Sequence, residues 1–333
     1  MDSLKSDSKT LLNHFFRSLG FSKAAFTKPP LGKSAELFKD WLEYHYHGEM
    51  AYLERRASER LNPSKLLPAL KSILVLSYPY DPSPQSPRQK GEALVSRYAW
   101  GQDYHDLLKE KLKRVQSFFE EHFPTSLCYF SVDAEPVLEK AWAEKSGLGW
   151  LGKHSNIINP KQGSYFFLAT LLTDLDLPED PPMQDHCGAC SRCLDICPTR
   201  AIVKPYVVDA RLCISYLTIE YKGVIPLKLR PKMGAHIFGC DDCQEVCPWN
   251  RFSQKTPEKS FWGEEGYQTW SLEAWLEMDE ELFIKKFAKT PLSRPKYRGM
   301  MRNVLIAAGN SGRKELAPWI EKKLKDPSPL VRA

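Results

Sequence analysis

Cys187-Gly-Ala-Cys190-Ser-Arg-Cys193-Leu-Asp-Ile-Cys197-Pro198 sets four thiols at x2, x2 and x3 spacing and closes on a proline. A second run, Cys240-Asp-Asp-Cys243-Gln-Glu-Val-Cys247-Pro248, repeats the end of that pattern. Such spacing lets one tight loop wrap three thiolates around an iron–sulfur cubane, while the proline turns the fourth cysteine away toward another cluster. In the second run the first cysteine position is Ile237, and Cys213 is the remaining cysteine of the region. The count therefore closes on two [4Fe–4S] clusters. Cys187, Cys190, Cys193 and Cys247 hold one, and Cys240, Cys243, Cys197 and Cys213 hold the other. Structural zinc prefers two Cys-x2-Cys knuckles separated by a longer loop, which is a different pattern.

Working outward, eight of the nine cysteines fall between 187 and 247, and Cys128 stands apart as an ordinary buried thiol in a strand. Crowding of this kind in a reducing compartment reads as metal binding rather than as a disulfide framework. The chain has 333 residues, 42% hydrophobic and 26% charged, which is ordinary globular composition for roughly two domains. The richest apolar run, Tyr165 to Leu172, is far short of a membrane helix. Met1-Asp-Ser-Leu-Lys-Ser-Asp lacks the basic start and apolar core of a signal peptide, and it has no twin-arginine pair. A cytoplasmic protein is expected, with no membrane partner. The net charge of +6 is uneven: residues 281–333 carry 13 Lys and Arg against 4 Asp and Glu. A basic end on a mildly acidic chain fits contact with a polyanion, or else a solvated lysine-rich surface.

Residues 1–180 alternate helical and strand patterns, which predicts an α/β domain. Ser72 to Tyr78, Leu127 to Val132 and Tyr165 to Thr173 read as strands. The first of these runs into a proline-rich loop (Pro79, Pro82, Pro84, Pro87). Asp103 to His122 spaces Leu107, Leu108, Leu112, Val115, Phe118 and Phe119 as one helical face, and Val137 to Ser146 is a helix stopped by Gly147. Leu177-Pro-Glu-Asp-Pro-Pro182 marks a boundary. Residues 181–255 form an α+β, bacterial-ferredoxin-like two-cluster domain. Residues 256–333 form an α-helical, HEAT-like basic segment, with helices around Leu272–Met278, Leu282–Ala288, Arg302–Gly309 and Leu316–Leu324. The last two make a helical hairpin that stops where a further helix would begin.

Gly147-Leu-Gly-Trp-Leu-Gly152-Lys153 satisfies a dinucleotide glycine pattern but follows a helix instead of a strand. It also opens a phosphate loop, yet His154 stands where a magnesium-holding Ser or Thr belongs. What is left is a flexible loop that lets a large ligand come close to its backbone. His154 reads as a hydrogen-bonding loop residue, with metal ligation the sharper alternative. Asp133 follows a strand and precedes a helix, at the edge where open α/β sheets bind ligands. Desolvation there would make it a proton donor; the plainer reading is a turn or capping aspartate. The Asp-x-His-x-x-Gly motif that gives some cobalamins a lower axial histidine is absent, as are His-Glu-x-x-His and Gly-x-Ser-x-Gly.

Ser131-Val-Asp133-x2-Pro136, Ala143-Glu-Lys-Ser-Gly-Leu-Gly-Trp-Leu-Gly-Lys153, Trp100-Gly-x-Asp-Tyr-His105 and the two cysteine runs ending Cys247-Pro-Trp-Asn250 together resemble the epoxyqueuosine reductase family, along nearly the whole chain. The resemblance implies base-off cobalamin in an α/β cobalamin-binding domain at 1–180, beside the two-cluster domain. It implies Asp133 as the proton donor, held neutral by burial, and a cofactor lined by Arg60, Ser96, Asp133, Ile157, Leu168 and Ser215. It implies that Lys222 touches tRNA carrying epoxyqueuosine, and that a ferredoxin or flavodoxin-like donor supplies electrons to a monomer. The reaction implied is two-electron removal of the epoxide oxygen at the wobble nucleoside. Two other readings compete on cofactor content: a corrinoid reductive dehalogenase, and a ferredoxin-type electron carrier.

Overall fold

Ser72–Pro79 is a strand buried at every residue, because its apolar run has neighbours on both sides and both faces covered. A computed structural model describes residues 2–82, 93–263 and 266–333, so Met1, Pro84 and Pro87 lie outside the described residues. The contacts gather the chain into two compact units. One comprises Met1–Asp81, Tyr104–Ser191 and Cys247–Pro257; the other comprises Pro82–Asp103, Arg192–Val246 and Glu258–Ala333.

In the first unit a four-stranded sheet runs Lys23–Thr27, Ser72–Pro79, Phe166–Thr173, Cys128–Ser131. All of its pairings are antiparallel, with Leu74 opposite Leu171 and Ser131 opposite Thr170. The alternation of helix and strand is as the sequence predicts, but the direction of pairing is not that of an open parallel sheet. The carboxyl-edge argument for Asp133 therefore does not apply. Side chains alternate across a strand, so Ile73 and Val75 share one face and pack with Trp142 and Ala143 of the helix Glu139–Lys145. On the opposite face Tyr78 meets Phe21 edge-on, and Phe21 meets Phe16 of the helix Asp2–Ser18. That helix stacks Phe15 on Phe118 of Tyr104–His122 at 3.9 Å between ring centres. The helix Tyr104–His122 buries Leu108, Leu112, Val115 and Phe119, as the helical spacing requires, with Leu107 and Phe118 half-buried.

The second unit pairs His236–Phe238 with Leu94–Val95 in parallel and Ile202–Lys204 with Val207–Val208 as a hairpin. Its core joins Ile237, Phe238, Trp275, Phe287, Met300 and Val304. Helices at Leu272–Glu277, Glu280–Phe287, Lys296–Ser311 and Ala317–Lys323 stand where the sequence places them, the third starting six residues earlier than its apolar pattern. Lys296–Ser311 packs against Leu272–Glu277 and the terminal turn Pro329–Arg332. Arg302 is buried in it and donates to the carbonyls of Leu217, Tyr221 and Gly223 at 2.7–2.9 Å. Asn303 donates to Thr218 and Ile237 carbonyls at 2.8 and 2.9 Å. Among the described residues no helix is long and apolar enough to cross a membrane.

Candidate functional site

Asp133 stands two residues beyond the strand Cys128–Ser131, in the left-handed region at φ 57°. Its carboxylate accepts the Tyr104 hydroxyl proton at 2.5 Å, and His105 Nε2 lies 3.6 Å away. Both partners come from the first turn of the helix Tyr104–His122. Asp133 is not a helix cap, since the helix that follows starts at Glu139 with Leu138 before it. Nor does the chain bury it: the side chain is 67% exposed, which corrects the expectation of an aspartate kept neutral by burial. The desolvated carboxyl of this region is Glu139. Burial, and then the charge of Asp133, push it up to about 7. Its Oε1 accepts the Ser131 hydroxyl at 2.8 Å and the Asp133 backbone N–H at 3.1 Å. Tyr104, His105 and Glu139 were not singled out from the sequence as site residues. The signal available for the first two was their place at the start of a helix with a strong apolar face.

The glycine-rich stretch is a tight hairpin, Trp150–Leu151 against Ile157–Ile158, rather than a flexible ligand loop. A Cβ on Gly149 would sit 2.3 Å from the Ile158 carbonyl oxygen, so the glycine answers an internal close approach. Lys153 donates to the carbonyls of Gly188 and Cys190 at 2.5 and 3.0 Å, clamping the first cysteine loop instead of a phosphate. His154 is 4% exposed; its Nδ1 accepts the Asn156 N–H at 3.1 Å, and burial holds it down at about 4, hence neutral.

In the first unit Cys187 and Cys190 lie near Cys247, whose thiol is pushed up by burial and by those two neighbours. In the second, Cys243 is pushed well up by burial and by Cys213, Cys193 and Cys197, and Cys240 by burial and its neighbours Asp242, Cys243 and Cys213. No disulfide joins any of the nine cysteines. Buried thiols crowded in this way are hard to ionise alone, and a cationic cluster is what relieves them, so the donor set fits iron–sulfur ligation. Ala201 N–H points at Cys197 Sγ at 3.2 Å, a donor suited to a cluster thiolate. Cys128 contacts Thr173 Oγ1 at 3.8 Å and is pushed up to about 11 by burial, an inert structural thiol.

Of the remaining candidates, Arg60, Ile157 and Leu168 belong to the first unit, and Ser96, Ser215 and Lys222 to the second. Ile157 is core, and Leu168 packs against that core while half-exposed. Arg60 is 5% exposed yet bonds only the carbonyls of Tyr52 and Arg56, at 3.3 and 3.5 Å. Its remaining donors bond nothing among the described residues, a fit for a large ligand rich in carbonyl groups. Ser96 donates to Asp241. Lys222 donates to the Ile219 and Arg294 carbonyls at 3.1 and 3.4 Å, among Arg294, Lys296 and Arg302.

A family model described as "4Fe-4S double cluster binding domain" matches residues 186–250, and one described as "Epoxyqueuosine reductase QueG, DUF1730" matches 60–134. An epoxyqueuosine reductase of Cellulophaga algicola is 45% identical over 289 residues, 87% of this chain and 92% of the relative. The chain belongs to the epoxyqueuosine reductase family. The Escherichia coli epoxyqueuosine reductase is 42% identical over 307 residues, 91% of this chain and 79% of its own. A crystal structure of epoxyqueuosine reductase with an epoxyqueuosine-modified tRNA-Tyr stem loop superposes with a TM-score of 0.89 at 30% identity, covering 98% of this chain and 88% of that one. A Bacillus subtilis epoxyqueuosine reductase, solved with its catalytic aspartate loop swung out of the active site, matches with the same scores and coverage. As an epoxyqueuosine reductase the chain is an oxidoreductase carrying a double [4Fe–4S] domain, which decides against the plain electron carrier and the dehalogenase.

Proposed function

We propose that this chain removes the epoxide oxygen of epoxyqueuosine at the tRNA wobble position, leaving queuosine. Two electrons and two protons enter, two C–O bonds of the epoxide break, and a carbon–carbon double bond and water result. The observation that carries this reading is Asp133, exposed just beyond its strand and aimed by Tyr104 and His105, in a member of this family. Asp133 would protonate the departing oxygen. Because the chain leaves it exposed, its desolvation would come from the ligands that close over it. Arg60, Ser96, Asp133, Ile157, Leu168 and Ser215 would line base-off cobalamin, with the uncommitted donors of buried Arg60 supporting that placement. Cys187, Cys190, Cys193 and Cys247 would hold one cluster, and Cys197, Cys213, Cys240 and Cys243 the other. Bound cobalamin supplies a low-valent metal for the two-electron step, and the clusters supply a one-electron path to it from an external donor.

Lys222, set among Arg294 and Lys296, would meet tRNA phosphate. Residues 1–180 would hold cobalamin, 181–255 the clusters, and 256–333 would form the HEAT-like basic segment of a cytoplasmic monomer. The test is to incubate the reconstituted protein with epoxyqueuosine-containing tRNA and a strong reductant, then weigh the nucleosides. Loss of one oxygen from epoxyqueuosine is the expected result, and unchanged nucleoside overturns the reading. Asp133→Ala should slow turnover by about 10²–10⁴-fold with cluster and corrinoid absorption intact. An Asp133→Ala enzyme as fast as wild type ends the role assigned to that carboxyl.

A further inference from the structure

Asp133 sits at φ 57°, a conformation uncommon for non-glycine residues though one that aspartate tolerates, and a side chain from the next helix fixes the turn around it. Ser131 closes the strand Cys128–Ser131, Glu139 opens the helix Glu139–Lys145, and the Glu139 carboxylate ties the two ends together. Its Oε1 takes both the Ser131 hydroxyl at 2.8 Å and the Asp133 amide at 3.1 Å. We infer that Glu139 is a positioning residue for Asp133: its carboxyl latches the loop that presents the Asp133 side chain. The inference rests on the reading of Asp133 as proton donor.

Arg60, from the short helix Ala57–Leu61, attracts the Glu139 carboxylate. Asp133 repels it. Tyr104 and His105 engage Asp133 from its far side, and Glu135 of the same loop is occupied by the Tyr129 hydroxyl at 3.1 Å. Two carboxyls sharing one site resist ionising together, and here burial and the charge of Asp133 favour the proton on Glu139, whose Oε1 accepts from both of its donors in either protonation state.

Two measurements on the full chain test this: hydrogen exchange of the segment 131–138, and single-turnover rate from about pH 6 to pH 9. Glu139→Ala should exchange about tenfold faster at the Asp133 amide and turn over about 10²-fold more slowly. Glu139→Gln keeps an acceptor oxygen for both donors but no charge. It should keep wild-type exchange at the Asp133 amide, restoring what Glu139→Ala loses. Wild-type exchange and rate in Glu139→Ala, or exchange in Glu139→Gln as fast as in Glu139→Ala, overturns the inference. Should Glu139→Ala fail to fold, Ser131→Ala takes its place: faster exchange of the loop supports the latch, and unchanged exchange removes it. A wild-type chain inert toward modified tRNA overturns the proposed reaction instead, and an active Asp133→Ala overturns the donor. In either case the exchange result still decides whether Glu139 holds the loop.

Discussion

His154 carries a pH dependence that follows from its burial. Enclosed and bonded through Nδ1 to the Asn156 amide, it is held at about 4, below its ordinary value of 6.5. The folded chain thus binds fewer protons there than the unfolded chain between those two values, and the stability His154 contributes is complete above about pH 6.5 and lost as pH falls toward 4. A depression of this size corresponds to about 3 kcal/mol. His154→Gln should show a smaller loss of urea stability between pH 7 and pH 4.5 than wild type, by about that amount; equal losses in both would remove His154 from the acid limb. The residue scale is also where sequence reading stops short. His154 is legible as a hydrogen-bonding loop residue, yet nothing in Lys153-His154-Ser155 shows that it is buried. Likewise Asp133 and Glu139 are two acidic residues six apart, and only the fold shows that the second is enclosed and the first exposed.

At the scale of elements, Ser72–Pro79 and Phe166–Thr173 are legible as short continuous apolar runs, and Tyr104–His122 by the period of its helical face. The antiparallel direction of the sheet is not, since a continuous apolar run is the same for either direction of pairing. Two-residue strands such as Trp150–Leu151 and Ile157–Ile158 show no period at all, so the glycine-rich stretch read as an open loop. The hairpin gives a direct test. Gly149→Ala places a methyl group 2.3 Å from the Ile158 carbonyl oxygen, where backbone and not a pliable side chain must yield. It should lower stability by about 1–3 kcal/mol in a urea titration, with the helix Glu139–Lys145 and the sheet retained in circular dichroism. A variant as stable as wild type would mean the hairpin relaxes freely.

At the scale of the molecule, the uneven charge was plain in the sequence, but its availability was not. Of the 13 basic residues in 281–333, Arg302 is spent on three backbone carbonyls, Arg313 pairs with Glu273 and Glu315, and Arg294 donates to Glu220 at 2.5 Å. Lys296 is exposed, and Lys222 stands near it. Polyanion binding releases condensed counterions, and each phosphate neutralised steepens the fall of affinity with salt by about 0.7–0.9 on a double-logarithmic plot. For the tRNA contact proposed above, Lys222→Ala and Lys296→Ala should each flatten that slope by about this much, measured with modified stem loops across a salt series. Arg302→Met should leave the slope alone and instead lower folding stability by about 3 kcal/mol or more, because its three carbonyl partners lose a buried cation. An Arg302→Met chain of wild-type stability with a flattened slope would place that guanidinium on the nucleic acid and make Arg302 a binding cation instead of a structural one.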